Sequence, residues 1–345
     1  MEYSGINTKL CAMKSKLLTK PDYERLCRSG SVESVVRILS EYPAYHNALA
    51  EVFNAEIHRD IVEQKLMLSL SDDFRRIYRF ITEDNIKRFL SSFFLSFELG
   101  VIKMLLCMVY DEREINYTLP ELNLLISSRL KIDTAKLKAS KNPEEFIHNL
   151  KGAVFYSMLT DAFTAHSSLF KVEMQLDLYY YLNLWNQQDE ELDKKNLRLM
   201  KAISGTEIDL RNIMWVYRLK QYYNLNDERV YAYLIPISHK LERAQLMRMV
   251  ECQDISQLKE EIGNSPYRDV FQDLNDMEKS YYNKMSRVYR EASKAEPESL
   301  ARTVGFIFFK ELELRNLTSL LEGVRYNLKP NDIMGYLNLT REAGA

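Results

Sequence analysis

The stretch KELELRNLTSLL, Lys310–Leu321, contains a short pattern that the chain also carries elsewhere. Within it, Glu313–Leu317 reads ELRNL, and Asp209–Ile213 reads DLRNI. A related segment, ELGVI, begins at Glu98, which lies 111 residues before the start of DLRNI, and ELRNL follows that start after 104 residues. Such recurrence indicates that one unit has been duplicated along the chain.

A second set of positions supports the same period. Three tyrosines are spaced by 111 residues: Tyr45, Tyr156 and Tyr267. Three aliphatic residues keep the same spacing: Val36, Ile147 and Leu258. Because ordinary solenoid repeats span roughly 20–50 residues, each copy is better interpreted as a small domain than as a stacked hairpin. The predicted organisation is three repeats, 1–112, 113–223 and 224–338, and a disordered tail, 339–345.

The composition predicts an almost entirely helical chain. With 10 Gly and 8 Pro in 345 residues, breakers are rare, and apolar residues recur at spacings of three and four. Several prolines precede an acidic residue, and this pairing favours a helix start. They are Pro21-Asp22, Pro143-Glu144 and Pro297-Glu298.

Charge and cysteine content bound the partners and the compartment. The 47 basic and 49 acidic residues nearly cancel, so nothing in the overall charge attracts nucleic acid or anionic lipid. The four cysteines are scattered, without a CxxC pair, which predicts buried thiols in a reducing compartment. The polar amino-terminal stretch MEYSGINTKLCAMKSKLL lacks the apolar run of a secretory signal, so we expect the chain to stay in the cytoplasm.

One segment, Phe89–Tyr110, is apolar and about long enough to span a bilayer. Glu98 and Lys103 lie near its middle, where ionised side chains cost roughly 2.5–3.5 kcal/mol each. We therefore predict a buried helix of a folded domain and no membrane span.

An acidic residue interrupts an apolar helix face in each copy. Glu98, Asp209 and Glu313 each have an aliphatic residue four positions later, on the same side of a helix. A carboxylate withdrawn from water needs a partner, so one interpretation is a structural ion pair inside each domain. The alternative is that the three carboxylates line a shared polar cavity.

Motifs that carry catalysis are missing from the sequence. It has no GxxxxGK[ST], GxGxxG or GxSxG pattern, and no pair of histidines at the spacing that places two metal ligands on one helix face. The pair Asp72-Asp73 resembles the start of an aspartate-rich magnesium box but continues Phe-Arg-Arg, without a third aspartate. We predict no catalytic residues, no bound metal and no cofactor.

Three stretches together carry a family resemblance: GINTKLCAMKSKLLTKPDYERL at 5–26, VESVVRILSEYPAY at 32–45 and FIFFKELELRNLTSLLEGVRYNL at 306–328. With the triplicate period, they make the chain resemble, over essentially its whole length, the C subunit of bacterial and archaeal A/V-type rotary ATPases. That protein is the counterpart of the eukaryotic V-ATPase d subunit.

The resemblance implies an all-α fold of three similar domains around a pseudo-threefold axis, shaped as a funnel. It implies that the funnel sits on the cytoplasmic face of the membrane proteolipid ring and receives the tip of the central shaft. Such a protein turns with the rotor and links ATP hydrolysis or synthesis to proton or sodium transport. A soluble helical scaffold that bridges other proteins is the alternative, and an all-helical enzyme comes third.

Overall fold

The structure is a computed structural model that describes residues 3–50, 52, 59–162 and 169–339. The predicted tail at 339–345 lies, from residue 340 onward, outside these residues. Within the described ranges every regular element is a helix and no β-strand is present. The predicted all-α class is therefore confirmed, whereas the pseudo-threefold axis and the funnel shape stay predictions.

Eighteen α-helices are defined within the described residues. The first nine are α1 (Tyr3–Lys14), α2 (Lys20–Cys27), α3 (Val32–Ser40), α4 (His46–Leu49), α5 (Arg59–Phe80), α6 (Asp84–Tyr110), α7 (Leu119–Leu125), α8 (Thr134–Ala139) and α9 (Pro143–Asn149). The others are α10 (Tyr156–Ala162), α11 (Leu169–Glu191), α12 (Lys194–Gln221), α13 (Asp227–Tyr233), α14 (Arg243–Glu251), α15 (Ile255–Gly263), α16 (Met277–Ala295), α17 (Ala301–Arg325) and α18 (Pro330–Tyr336).

Two of the three predicted proline starts coincide with helix starts. Pro21 lies in the first turn of α2, where the Thr19 N–H donates to the Asp22 carboxylate at 2.7 Å. Pro143 is the first residue of α9. The prediction was wrong at Pro297, because α17 begins only at Ala301, whose N–H donates to the Ser299 hydroxyl at 3.2 Å. A side-chain acceptor placed close to a helix start satisfies an N–H that the helix leaves free.

One compact unit is formed by both ends of the chain, residues 1–83, 117–125 and 297–345. Its central element is α17, which packs against α1, α2, α3, α5 and α18. The core includes the fully buried side chains Val35, Val36, Leu39, Leu317 and Leu320. Because α17 contacts helices that lie near the start of the sequence, this unit depends on contacts between residues far apart in the chain.

The second compact unit comprises residues 84–116 and 126–296. In it α6 packs against α11, and α12 packs against α16, α14 and α15. The predicted repeat boundaries at 112 and 223 fall shortly after the ends of α6 and α12. The three-repeat division itself stays a prediction.

Helix α6 contains the apolar segment noted in the sequence. Among the described residues it is the one helix long and apolar enough to cross a membrane. Its side chains, however, pack inside the second unit against α11, where Lys103 forms an ion pair with Asp177. Glu98, near the middle of α6, is 2% exposed. This packing accounts for the apolar composition, as expected of a core helix.

The ends of α6, α12 and α17 share one backbone feature. Each is followed by a residue with positive φ: Glu112 (55°), Asn224 (47°) and Asn327 (54°). The next N–H then reaches back into the helix, as from Arg113 to the Met108 carbonyl at 2.8 Å and from Leu328 to the Gly323 carbonyl at 3.0 Å. A left-handed residue at this point satisfies carbonyl groups that the helix end leaves free.

The cysteine prediction was partly wrong. All four thiols are free, and Cys27 and Cys252 are buried, but Cys11 is exposed and Cys107 is half-buried. Cys11 lies on the outer side of α1, so its thiol is available to solvent.

A matched pair of glycines tests the packing of the long helices. A Cβ added at Gly205 in α12 would meet the Cγ of His239 at 2.6 Å, whereas one added at Gly100 in α6 meets nothing within 4 Å. We expect Gly205→Ala to lower the free energy of unfolding by about 1–3 kcal/mol through overpacking. Gly100→Ala should raise it by up to about 1 kcal/mol, because alanine favours the helix. Thermal unfolding followed by circular dichroism measures both, and equal melting of the two variants would contradict the contact.

Candidate functional site

The candidate site consists of three buried carboxylates, one on each of the helices α6, α12 and α17. They are Glu98, Asp209 and Glu313, whose exposed fractions are 2%, 1% and 4%. In each case the carboxylate accepts a hydrogen bond from a backbone N–H in a loop close to the start of a set of short helices. Each long helix is thereby tied to a segment distant in sequence, and the two elements hold each other in place.

Glu313 lies in the unit formed by the two chain ends. One of its oxygens accepts from the Leu18 N–H, immediately before α2, and the other accepts from the Tyr45 hydroxyl. Lys310, one turn earlier on α17, donates to the Glu313 carboxylate at 3.0 Å and to the Tyr45 oxygen at 2.8 Å. The Lys310 side chain is 1% exposed, so Lys310 and Glu313 form a buried ion pair. The Tyr45 hydroxyl is hydrogen-bonded to both side chains.

The Tyr45 ring also contacts the charged amino group of Lys310. The Lys310 Nζ lies 4.1 Å from the centre of this ring, a distance at which a cation is attracted to the aromatic face. Burial, and then the neighbouring Glu313 carboxylate, raises the pKa of the Tyr45 hydroxyl well above its ordinary value. The hydroxyl therefore stays protonated and remains a donor to Glu313.

Asp209 forms no ion pair within the described residues. It accepts from three consecutive backbone N–H groups, those of His239, Lys240 and Leu241, at 3.2, 2.8 and 2.9 Å. The Tyr267 hydroxyl donates a fourth bond at 2.8 Å. Burial, and then the Asp209 charge, raises the pKa of this hydroxyl, so it too remains a donor. Several N–H donors together can stabilise an ionised carboxylate inside a protein.

Glu98 has a third arrangement. One oxygen accepts from the Ser127 N–H at 3.0 Å, and the other forms an ion pair with the Arg129 guanidinium at 2.6 Å. The Arg129 side chain is 41% exposed, so this cation reaches the carboxylate from the solvent side. No tyrosine hydroxyl donates to Glu98 in the described part of the chain.

The buried aromatic residues of the three predicted copies also differ. Tyr45 and Tyr267 are fully buried, as is Phe155 in the middle copy, whereas Tyr156 is half-buried at the first position of α10. The Phe155 carbonyl also accepts from the N–H four residues later, as the Tyr45 carbonyl does. Phenylalanine has no hydroxyl, and Glu98 is paired with Arg129 instead. The assignment of Tyr156 as the third anchor, which came from spacing alone, stays a prediction.

The asparagine of the repeated pattern has a role that the sequence did not suggest. Asn212 donates to the Ile235 carbonyl at 3.0 Å and accepts from the Ile235 N–H at 2.9 Å. Asn316 does the same with Asn338, at 3.4 and 2.9 Å. In both copies the acid and the asparagine three residues later hold two separate backbone segments. The related segment at Glu98 has Val101 in place of the asparagine.

Every oxygen of the three carboxylates has a donor inside its own unit, which favours the structural interpretation over a shared cavity. The described residues contain no group of three or more His, Cys, Asp or Glu side chains that could hold a metal ion. Asp72 and Asp73 form ion pairs with Arg75 at 2.5 Å and Arg76 at 3.7 Å. The geometry is that of fixed structural junctions.

Comparison with known proteins gives consistent matches. The family described as ATP synthase (C/AC39) subunit matches residues 6–336. The C subunit of the A-type ATP synthase of Methanocaldococcus jannaschii is 25% identical over 355 residues, which cover 97% of this chain and 86% of that protein. The proteins of the same name from Methanosphaera stadtmanae and Pyrococcus horikoshii are each 23% identical, over 95% and 96% of this chain and 86% and 89% of theirs.

The ion pair at Glu313 gives a double-substitution test. Glu313→Ala leaves Lys310 buried without its carboxylate, so we expect a loss of about 3–5 kcal/mol in the free energy of unfolding. The pair Glu313→Leu with Lys310→Met should recover much of this loss, because it leaves no unpaired charge. Glu33→Ala, at an exposed position of α3, is the control and should change stability by less than about 0.5 kcal/mol. Additive losses in the double variant would argue against the buried pair.

Three tyrosine substitutions compare Tyr45 and Tyr267, whose hydroxyls donate to buried carboxylates, with Tyr156, which was predicted as an anchor from spacing alone. Tyr45→Phe and Tyr267→Phe each remove a donor from a buried carboxylate, and we expect each to cost about 1–3 kcal/mol. Tyr156→Phe should leave the melting temperature close to that of the parent, since its hydroxyl forms no hydrogen bond with the residues that the structure describes. Chemical denaturation of the three variants measures the difference, and a large loss in Tyr156→Phe would show that Tyr156 supports the middle copy after all.

Proposed function

Because the chain belongs to the ATP synthase (C/AC39) subunit family, we propose that it couples the central shaft of a rotary ATPase to the proteolipid ring in the membrane. The family itself is secure, since the match covers residues 6–336, and the identification made from the sequence is confirmed. The chain is thus a non-catalytic subunit of an A/V-type ATPase, a membrane-associated complex. The connection to shaft and ring, and the position on the cytoplasmic face of the ring, are the proposal.

The observation that carries the proposal is the extent of the family match. The relatives named as the C subunit of A-type ATP synthases align with nearly the whole of this chain, and this chain covers at least 86% of the three described above. The similarity is spread over the helices of both compact units of this chain. It therefore supports a role that the whole fold performs, and torque transmission between two partners is such a role.

The segments that the three carboxylates bind support an architecture of three domains. Glu98 binds a loop of the second predicted repeat, Asp209 binds a loop of the third, and Glu313 binds a loop of the first. Each predicted repeat thus binds the next one, and the third binds the first, as expected of three related domains around a pseudo-threefold axis. Three related domains can offer three similar surfaces to a ring of identical subunits, while their differences suit a single shaft.

Fixed junctions suit a part that transmits force without chemistry. A buried carboxylate with all its bonds made resists displacement, because a displaced one leaves an unsatisfied charge. Tyr45 and Tyr267 lock two of these junctions through hydroxyls that stay protonated. The scaffold alternative predicts binding to unrelated proteins, which nothing in the family match supports.

The test is ion transport by a reconstituted rotary ATPase assembled with and without this chain. Without it, we expect the soluble head to hydrolyse ATP while ATP-driven ion transport is lost, because the shaft no longer turns the ring. Adding back the purified chain should restore transport, and adding the heat-denatured chain is the control. Full coupled transport in the absence of the chain would refute the proposed function.

A further inference from the structure

The carboxyl-terminal half of α5 carries a cluster of cations beside an exposed aromatic ring. We call this surface the basic cleft and define it by Lys9, Lys16, Arg75, Arg76, Arg79 and Phe80. Two adjoining hollows share Arg76: Lys9, Lys16 and Asp73 line one of them, and Asp72, Arg75 and Arg79 line the other. Phe80 is 51% exposed, and the Lys9 Nζ lies 5.6 Å from the centre of its ring.

The cations of the basic cleft outnumber its carboxylates. Asp72 pairs with Arg75 at 2.5 Å and Asp73 pairs with Arg76 at 3.7 Å. Within the described residues, Arg79 and Lys16 form no ion pair, and both are exposed. Arg79 is the cation in the last turn of α5, where positive charge complements the negative end of the helix dipole. Lys9 lies in α1 and Lys16 follows that helix, so both add positive charge for which the α5 dipole does not account.

The corresponding end of α11 is different. It ends with Asp189, Glu190 and Glu191, and two of these carboxylates form ion pairs inside the second unit. Glu191 binds Arg88 at 2.6 Å, and Asp189 binds Lys201 at 2.7 Å. Each helix is followed in the chain by a long helix that carries a buried carboxylate, and among the described residues the end of α5 has an arginine, Arg79, that forms no ion pair. The chain as a whole has a net charge of -2, so this positive surface is a local feature.

We propose that the basic cleft binds an acidic segment of a neighbouring subunit of the ATPase, with carboxylates on Arg75 and Arg79 and an apolar side chain on Phe80. The inference rests on the proposed function, because it takes the partner from the rotary complex. Guanidinium groups bind carboxylates through two parallel bonds, and arginine and aromatic residues are enriched at protein interfaces.

The composition of the basic cleft favours a protein segment over a lipid surface. Asp72 and Asp73 lie between the cations, whereas a flat anionic membrane favours a run of positive charge without interspersed carboxylates. The hollows are concave, which suits inserted side chains. The exposed ring beside the cations offers an apolar contact that inorganic phosphate cannot use.

A charge-reversal variant with a matched control tests the proposal. The variant is Arg75→Glu with Arg79→Glu, and the control is Arg28→Glu with Arg37→Glu, at exposed positions of the same unit. Both changes alter the net charge equally. The neutral variant Arg75→Gln with Arg79→Gln avoids a new repulsion with Asp72, and the melting temperature shows that each protein is folded. Binding is measured to the purified shaft subcomplex and to the purified proteolipid ring in detergent, at low and high salt.

We expect the charge-reversal variant to bind one of these two partners about tenfold more weakly or worse than the parent and the control, and the salt dependence of that binding to fall. Equal binding of variant, control and parent would overturn this inference and leave the proposed function standing. If the parent binds neither partner, the proposed function fails and the inference fails with it. Binding of the parent to phosphatidylglycerol vesicles or to inorganic phosphate that the variant loses would assign the basic cleft to an anion instead.

A cross-linking measurement identifies the occupant directly. With Phe80→p-benzoylphenylalanine in the purified, assembled ATPase, irradiation should join residue 80 to a segment of another subunit that carries several Asp or Glu residues. Mass spectrometry of the joined peptides reads out the segment. A cross-link to a segment without acidic residues, to lipid, or to nothing would overturn the proposal.

Discussion

A carboxylate buried on a long helix, bound to the backbone of a distant loop, is the constraint on which the described fold depends. Removing an ionised group from water costs several kcal/mol unless its oxygens receive hydrogen bonds. If the helix shifted away from the loop, the buried carboxylate would lose its hydrogen bonds and the protein would be destabilised by that amount. Because the loop leads into a set of short helices, one interaction sets the position of a much larger segment. The asparagine one turn later at Asp209 and Glu313 binds a second stretch of backbone in the same way.

The three carboxylates are all fully hydrogen-bonded, but by different donor groups. Asp209 relies on backbone N–H groups and a phenol, Glu313 adds a buried lysine, and Glu98 uses an arginine that is partly open to water. Such variety at related positions indicates that full satisfaction of the carboxylate matters, and the identity of the donor does not. This is the behaviour of a structural element, in keeping with membership of a non-catalytic family of ATPase subunits.

Sequence reasoning reached the helical class and the positions of the three acids, because periodicity and apolar spacing are local properties of a chain. It could not reach their partners. The Leu18 N–H and the Glu313 carboxylate are 295 residues apart, and backbone donors carry no sequence signature. Spacing also selected Tyr156, which is half-buried next to the fully buried Phe155, and a count of residues alone carries no information about burial. In the sequence, Arg75 and Arg76 were noted only because they follow the Asp72-Asp73 pair where a third aspartate would complete a magnesium box.

The joining of Glu313 to Leu18 and Tyr45 has a consequence for biosynthesis. A ribosome releases the residues around Tyr45 long before it has made α17, so the first helices emerge without the element that covers their apolar side. Over that interval α3, which carries the buried side chains Val35 and Leu39, lacks the packing of α17 against it. The second unit, by contrast, is complete once residue 296 has emerged. Synthesis of α17 is therefore the event that closes the first unit, and a nascent chain that stalls before α17 would present that uncovered surface to chaperones and proteases.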